Sequence, residues 1–579
     1  MFKLAKKYLG AFRKELIIGP LAKLTEAVLE LIVPLIMADV IDVGIIGGAG
    51  KPYIYRMGGI MILMGAFGLC CALVCQYLAS RASQGVGTVI RNDLFERICE
   101  LSHSQTDTFG TPSLINRVTN DVNQVQTAVA MLIRLVVRAP FLVIGAAVMA
   151  MTIDLKLSLV FLAVAPLAAA VLYLIMSRSV PFYRVIQKKL DRIGLITRES
   201  LAGARVIRAF SRGEYEEERF SSANEDYAEI SMRVGRLSAL LNPLTYAIMN
   251  LAIAAIVWFG GFRVDAGDLT QGQVIAFVNY MTQISLALVV VANLVVIFTR
   301  AAACSTRINE VLDTEPSITD GNGVAGFPPN APAIEFRDVS FSYASDGDNA
   351  LENISFSLNR GEALGIIGGT GSGKSTLVNL IPRFYDAESG EVLIGGVNVR
   401  EYKLDDLRNR IGTVPQKALL FSGTVAENLR WGKETASEAE IKKAAEIAQA
   451  AEFIEKLSDG YETVISQGGR NLSGGQKQRL TIARALVGDP EILILDDSAS
   501  ALDLATDAAL RKAISENTAG MTVVIVSQRA NSIRHADKII VLDDGEAVGI
   551  GTHEELLEKC EVYREIVMSQ EIGNGVAGK

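Results

Sequence analysis

Six long apolar stretches occupy the first half of the chain: Leu16 to Ile46, Gly59 to Ser80, Val125 to Ile153, Leu157 to Ser177, Leu237 to Phe262 and Val274 to Phe298. Each is close to or longer than the roughly 20 residues an α-helix needs to cross hydrocarbon. Gly59 to Ser80 carries no charge at all, whereas a surface helix of a soluble protein keeps a polar face toward water. The pattern predicts six membrane spans. The polar segments after the second and fourth spans keep helical apolar spacing, with few breakers beyond Pro112 and Gly203. They are expected to continue the spans as helices reaching tens of Å past the membrane, at about 1.5 Å per residue. After Arg300 the pattern changes. A segment from Thr314 to Pro332, rich in Pro and Gly, reads as a linker. Ile334 to Tyr343 then alternates as a half-buried strand does, and the short apolar runs Ala363–Ile367, Ile492–Leu495 and Thr522–Val526 have the length of buried strands. The expected fold class is an all-α six-helix transmembrane domain with long helical extensions, followed by an α/β domain.

Composition agrees with a membrane part. Half of the residues are hydrophobic and the mean hydropathy is +0.30, more apolar than an ordinary soluble enzyme. A net charge of -8 argues against a general nucleic-acid binder, which would be basic. Lys and Arg cluster in the loops after spans two and four, from Arg81 to Arg117 and from Arg178 to Arg208, while the opposite side shows Lys51, Arg56, Lys156 and Arg263. By the positive-inside rule both termini are expected on the cytoplasmic side of the plasma (inner) membrane. Residues 1–15 lack the small-residue site that would follow a cleavable signal. Phe2, Leu4, Tyr8, Leu9 and Phe12 with Lys3, Lys6, Lys7, Arg13 and Lys14 instead predict an amphipathic helix on the membrane surface. The six cysteines have no metal-ligand spacing and read as reduced structural residues.

Charges also fall inside the spans. Glu26 and Glu30 are four apart on span one, as are Arg134 and Arg138 on span three, so each pair lies on one helical face. Charge in hydrocarbon needs a partner or water, and two readings stand: Glu/Arg pairing between helices, or a water-filled substrate cavity. Snorkelling accounts for Arg134 as well. The bends of the two long loops, Phe109 to Val122 and Glu199 to Phe210, read either as coupling elements toward a cytoplasmic domain or as solvated charged helices.

The chemistry concentrates in the second half. Gly368-Gly369-Thr370-Gly371-Ser372-Gly373-Lys374-Ser375-Thr376 fits G-x-x-x-x-G-K-S, a phosphate-binding loop between a strand and a helix. Its glycines let backbone N–H groups turn onto a triphosphate, Lys374 brings charge to the β and γ oxygens, and Ser375 offers a hydroxyl to Mg²⁺. A flexible Gly/Ser turn lacks that flanking context. The strand Ile492 to Asp496 delivers a carboxylate to its end, where it can hold Mg²⁺ through water. Tyr343 either stacks on a base or packs in the core.

Together with Gln416 and Leu472-Ser473-Gly474-Gly475-Gln476, and with Ser500-Ala501-Leu502-Asp503, these motifs resemble an ATP-binding cassette domain. With six preceding spans the chain resembles an ABC exporter half-transporter over nearly its whole length. That resemblance implies residues 16–312 as transmembrane domain, 313–333 as linker and 334–579 as a cassette that includes a helical subdomain. It implies ATP and Mg²⁺ as cofactors, the metal near Ser375, Gln416 and Asp496. It also implies a dimer in which Ser473, Gly474, Gly475, Gln476 and Asp503 face the ATP held by the partner. Two positions depart from the family pattern. Asp497 stands where the family has a water-orienting Glu, and Gln528 where it has a His on the γ-phosphate. A carboxylate one C–C bond short is displaced by about 1.5 Å, and such misplacement can cost about 100-fold in rate. The expectation is a degenerate ATP site and a second half-transporter carrying the intact Glu and His. The expected cargo is an amphipathic or lipid-like compound. A regulatory or channel-type ABC protein gated by ATP is the competing reading.

Overall fold

The computed structural model describes residues 4, 7–324, 328, 330–343, 348–498, 500–518 and 520–576. Phe2, Lys3 and Lys6 of the expected surface helix lie outside them. Two compact units form, one from Met1–Cys99 with Thr111–Thr314 and the other from Glu100–Gly110 with Glu315–Lys579.

The first unit is helical. Among the described residues five helices are long and apolar enough to cross a membrane: Gly50–Glu100, Thr111–Ile153, Leu155–Ala202, Gly213–Asp265 and Gln271–Asp313. The expected first span does not join them. It forms the helix Arg13–Asp39, but every 20-residue stretch of that helix includes Lys23, Glu26 and Glu30. The Gly50–Glu100 helix has 51 residues and so measures about 76 Å, more than twice a hydrocarbon core. On it Ile62, Leu63, Phe67, Leu69 and Leu73 are exposed, an apolar surface far larger than a soluble monomer leaves open. Near the N-terminus the expected surface helix is corrected: Leu4 and Tyr8 are buried, and Tyr8 donates its hydroxyl to Asp93 at 2.7 Å.

The intramembrane charges resolve into separate pairs. Arg138 reaches Glu30 at 2.7 Å, Glu26 takes Lys23 at 2.6 Å, and Arg134 donates to the hydroxyl of Ser80 at 3.0 Å. Pairing therefore holds for Glu30 with Arg138, while Glu26 and Arg134 have other partners. Neutralising Glu30 or Arg138 singly leaves its partner poorly solvated, so the double change Glu30→Gln with Arg138→Gln should recover part of the loss. A double-mutant cycle on thermal stability is expected to give a coupling of about 1 kcal/mol or more, within the range for contacting pairs. Strict additivity would contradict the pairing.

The second unit holds twelve strands among its described residues. An antiparallel sheet of β1 (Ile334–Phe341), β2 (Leu351–Leu358), β4 (Ser389–Ile394) and β5 (Val397–Asn398) runs in the order β2-β1-β4-β5. A second sheet orders β12 (Glu546–Gly551), β11 (Lys538–Asp543), β3 (Ala363–Gly368), β10 (Thr522–Val526), β9 (Ile492–Asp496) and β6 (Ile411–Val414). From β11 to β6 this sheet is parallel. Its central strands β3 and β9 are almost wholly buried, which explains their unbroken apolar runs. A ribbon of β7 (Gly423–Thr424) and β8 (Val464–Ile465) adjoins helices between β6 and β9, including Val425–Arg430, Glu438–Ile447 and Gly474–Val487. These pack around Leu429, Ile441, Ile454 and Leu480.

The expected first bend, Phe109 to Val122, lies too late in the chain. The turn is made by a short helix, His103–Phe109, closed by a capping box of Ser102 and Gln105. In the second unit His103 stacks on Phe384 with centroids 4.6 Å apart, and Ser317 bonds Ser102 at 2.7 Å. The stretch after Gly110 instead carries a π turn, Arg117–Asp121, where Arg307 grips the buried Asp121 at 2.6 Å. The second bend falls where Gly203 predicts it, between Leu155–Ala202 and Ala204–Ala209. Val206 and Phe210 there are exposed.

Candidate functional site

The register of the parallel sheet assembles the site. Val526 lies beside both Ile366 and Asp496, so the C-terminal ends of β3, β10 and β9 come to one edge. In open α/β sheets that edge is where ligands bind. A cavity of about 350 Å³ opens there, lined by Tyr343, Thr370 to Thr376, Gln416, Asp496, Asp497 and Gln528 together with Ala350 and Val526. Residues from five separate motifs thus converge on one space. The sequence offered no signal for Ala350 and Val526, which contribute only wall.

The loop from Gly368 to Gly373 has the geometry of a cradle. Gly371 and Gly373 take φ of +87° and +91°, a region in which side chains are strained. A Cβ on Gly373 would meet the carbonyl of Ala350 at 2.6 Å, while one on Gly369 or Gly371 would meet nothing. Backbone therefore lines the open side. The helix Lys374–Leu380 starts immediately after the loop. Lys374 folds back so that its Nζ donates to the carbonyls of Gly368 and Gly369 and to Ser372 Oγ at 3.3 Å. Burial pushes the Lys374 ammonium below its usual range, opposed by the carboxylates of Asp497 and Asp496.

Ser375 Oγ donates to Asp496 Oδ1 at 3.2 Å. Burial pushes the Asp496 carboxyl up, and this hydrogen bond pulls it back. A hydroxyl and a carboxylate at that separation, with the amide of Gln416 on the same cavity, are oxygen donors of the kind that suit Mg²⁺. The donor set fits the ion. A bound triphosphate and cation would reverse both shifts, since phosphate favours the charged lysine and Mg²⁺ the charged aspartate.

Asp497 stands directly after β9 with φ of +46°, its N–H donating to the carbonyl of Val526 at 3.0 Å. Its Oδ2 receives a long hydrogen bond from Gln416 Nε2, 3.4 Å. Gln528 lines the cavity, and its backbone carbonyl is held by Gln570 at 2.7 Å. Tyr343 is 57% exposed, so the core-packing reading is corrected. Its hydroxyl bonds Thr376 Oγ1 at 3.0 Å, and its ring meets the edges of Phe341 and Tyr385.

The remaining motif residues form a second surface of the same unit. Ser473, Gly474, Gly475, Gln476 and Asp503 are not among the described residues lining the cavity. Ser473 caps the helix Gly474–Val487, its Oγ accepting from Gln476 N while its own N–H donates to Gln476 Oε1 at 2.8 Å. Gly474 has open space where a side chain would be. The N-terminus of a 14-residue helix is therefore presented outward, a position that favours anions. Gly475 approaches the carbonyl of Ala501, 3.2 Å from where its Cβ would stand. Asp503 accepts from the N–H and hydroxyl of Thr506, bonds that hold its carboxyl below the usual range.

Residues 16–288 match the ABC transporter transmembrane region, and residues 351–500 match the ABC transporter ATPase family described as ABC transporter. The uncharacterized ABC transporter ATP-binding protein YfiB of Bacillus subtilis (strain 168) is 40% identical over 94% of this chain and 95% of its own. The ATP-dependent lipid A-core flippase of Desulfotalea psychrophila is 35% identical, covering 83% of this chain and 84% of that one. A solved bacterial Atm1-family ABC exporter with ATP bound superposes with a TM-score of 0.80 at 24% identity, over 98% of this chain and 99% of that one.

Proposed function

The chain belongs to the ABC transporter family, joining a transmembrane region to an ATPase that drives transport by hydrolysis, and from that premise we propose that it is the degenerate-site subunit of a heterodimeric exporter. The observation that carries the reading is the pair Asp497 and Gln528 on the wall of the phosphate-loop cavity. In this reading ATP and Mg²⁺ bind with Tyr343 against the base, Gly368 to Thr376 around the phosphates, and Ser375, Gln416 and Asp496 toward the metal. Mg²⁺ supplies charge neutralisation on the phosphates. Lys374 leaves its loop carbonyls to meet the β and γ oxygens. Asp497 is too short to hold a water in line, and the Gln528 amide carries no positive charge for the γ-phosphate at any pH. The outward helix cap at Ser473 to Gln476, with Asp503 beside it, closes over the partner's ATP, where the intact Glu and His reside.

The proposed division is 1–15 as an amphipathic N-terminal segment, 16–312 transmembrane, 313–333 linker and 334–579 cassette with its helical subdomain. Arg13–Asp39 serves as the sixth span, its charges satisfied by Arg138 and Lys23. Both termini face the cytoplasm of the plasma membrane, and the His103–Phe109 helix couples the two activities. The lipid A-core flippase among the relatives supports an amphipathic, lipid-like cargo.

A gate that binds ATP without pumping is the second reading, favoured by the same Asp497 and Gln528. Inside-out vesicles containing the intact pair, supplied with ATP and Mg²⁺ in the external medium that the ATPase faces, are expected to accumulate a fluorescent amphipath against its gradient. Equilibration without accumulation would make the protein a gate. Purification from native membranes in mild detergent should recover a second half-transporter with Glu and His at the matching positions. Recovery of this chain as a homodimer alone would overturn the heterodimer.

A further inference from the structure

The helix His103–Phe109 makes two sets of contacts within the second unit. One set meets the chain after Asp313: Gln105 donates to the carbonyl of Glu315 at 2.7 Å, and Ser317 donates to Ser102 Oγ at 2.7 Å. The other set meets aromatic rings beside the nucleotide cavity. His103 stacks on Phe384 and lies 6.0 Å from the ring of Tyr385, whose hydroxyl donates to Asp107 Oδ2 at 3.3 Å. Tyr385 in turn stands perpendicular to Tyr343, with centroids 5.3 Å apart and planes at 86°. Tyr343, Tyr385 and His103 thus form a run of ring contacts from the cavity wall to the helix.

The rings in this run are held differently. Tyr385 is half-buried and is not among the described residues lining the cavity; Phe341 packs against it at 5.5 Å. Burial, with Asp107 and Tyr343 nearby, pushes its phenol up to about 12, so it stays a hydrogen-bond donor to Asp107 throughout the neutral range. Tyr343 is exposed, lines the cavity and is tied through its hydroxyl to Thr376. A purine stacked on Tyr343 would cover that ring and restrict its tilt, and the attraction between perpendicular rings depends on their relative angle. Binding that restricts one group lowers the mobility of those packed on it. We propose that Tyr385 is a positioning residue through which occupancy of the base site on Tyr343 stiffens the helix His103–Phe109. The inference rests on the reading that a nucleotide lies with its base on Tyr343. It gives a slow site a use that requires binding and not hydrolysis: the helix registers that a nucleotide is present.

The test follows amide hydrogen exchange by mass analysis over residues 101–111 of the full-length protein in lipid nanodiscs, with Mg²⁺ and saturating ADP or inorganic tripolyphosphate. ADP carries the base without a γ-phosphate, and tripolyphosphate fills the glycine loop without a base. ADP is expected to slow exchange over that stretch about two- to tenfold, the worth of one aromatic pair. Tripolyphosphate should leave exchange unchanged. Tyr385→Leu should still saturate with ADP but lose the slowing, and Tyr385→Phe, which keeps the ring, should retain most of it. If Tyr385→Leu does not fold, the comparison of ADP with tripolyphosphate, made on the parent protein, decides alone. Equal slowing by tripolyphosphate overturns the proposal, because the phosphates then act without the base. Slowing that survives in a folded Tyr385→Leu overturns it too. The ADP affinity of Tyr343→Ala, measured by calorimetry, keeps the underlying reading separate. A loss of about fivefold or more, the worth of a base stacked on an aromatic ring, combined with no slowing in the parent, sinks the proposal alone. An unmoved affinity takes the base off Tyr343 and sinks both.

Discussion

A heterodimer carrying Ser473→Arg in this chain is expected to hydrolyse ATP two to three orders of magnitude more slowly than the intact pair. Lys374→Ala is expected to cost much less. The difference follows from where each residue acts. Lys374, Asp496, Asp497 and Gln528 share one cavity, which in the proposed reading lacks a well-placed water-orienting carboxylate. On that proposal, removing the lysine weakens nucleotide binding at a site that contributes little hydrolysis. Ser473 instead caps an outward helix N-terminus, which the proposed sandwich would place over the partner's ATP. Arginine there removes the cap and fills the space beside Gly474, taking preorganised donors from the site that turns over. One lost donor of this kind costs about 2.7 to 4 kcal/mol of transition-state stabilisation. Steady-state ATPase at saturating ATP and matched assembly compares the two. A larger loss from Lys374→Ala would invert the assignment of strong and weak sites.

The second large effect is a gain. Asp497→Glu with Gln528→His in the chain alone should raise its ATP turnover about 100-fold, the scale expected when a misplaced carboxylate is restored. Asp497→Glu by itself recovers part of this, since it returns the missing reach while Gln528 still offers no cationic donor. One obstacle is local. Asp497 sits at φ +46° with its N–H fixed to Val526, a backbone region that Asp tolerates better than Glu, so a modest loss of thermal stability should accompany the gain. Turnover that stays flat in the double variant would mean the impairment lies elsewhere in the cassette.

Much of the site was legible in the sequence because its parts are local. A strand, a glycine loop and a helix follow one another from Ala363 to Leu380, and each is dictated by residues within a few positions. The order of the strands was not legible. β3 lies between β10 and β11, neighbours some 160 residues later in the chain, and parallel pairing leaves no turn signal to announce it. For the same reason nothing marked Val526 as a wall of the cavity.

Span one shows the opposite case. Its hydropathy is interrupted by Lys23, Glu26 and Glu30, and the sequence left open whether those charges meet protein or water. A distance of 2.7 Å from Arg138 to Glu30 settles one of them. The helix His103–Phe109 was within reach of sequence reasoning, because Ser102 followed by Gln105 three positions later is the capping-box pattern that opens a helix. Pro112, a breaker, points to a bend further downstream instead. Packing of His103 on Phe384 depends on a partner 281 residues away and had no local signature.

The most direct measurement is per-site ATP turnover by the purified chain alone against the same chain assembled with the half-transporter that co-purifies from native membranes, at saturating ATP and Mg²⁺. The lone chain is expected to bind ATP normally and to turn over about 100-fold more slowly than the assembled pair. Comparable per-site turnover in the two preparations would contradict it.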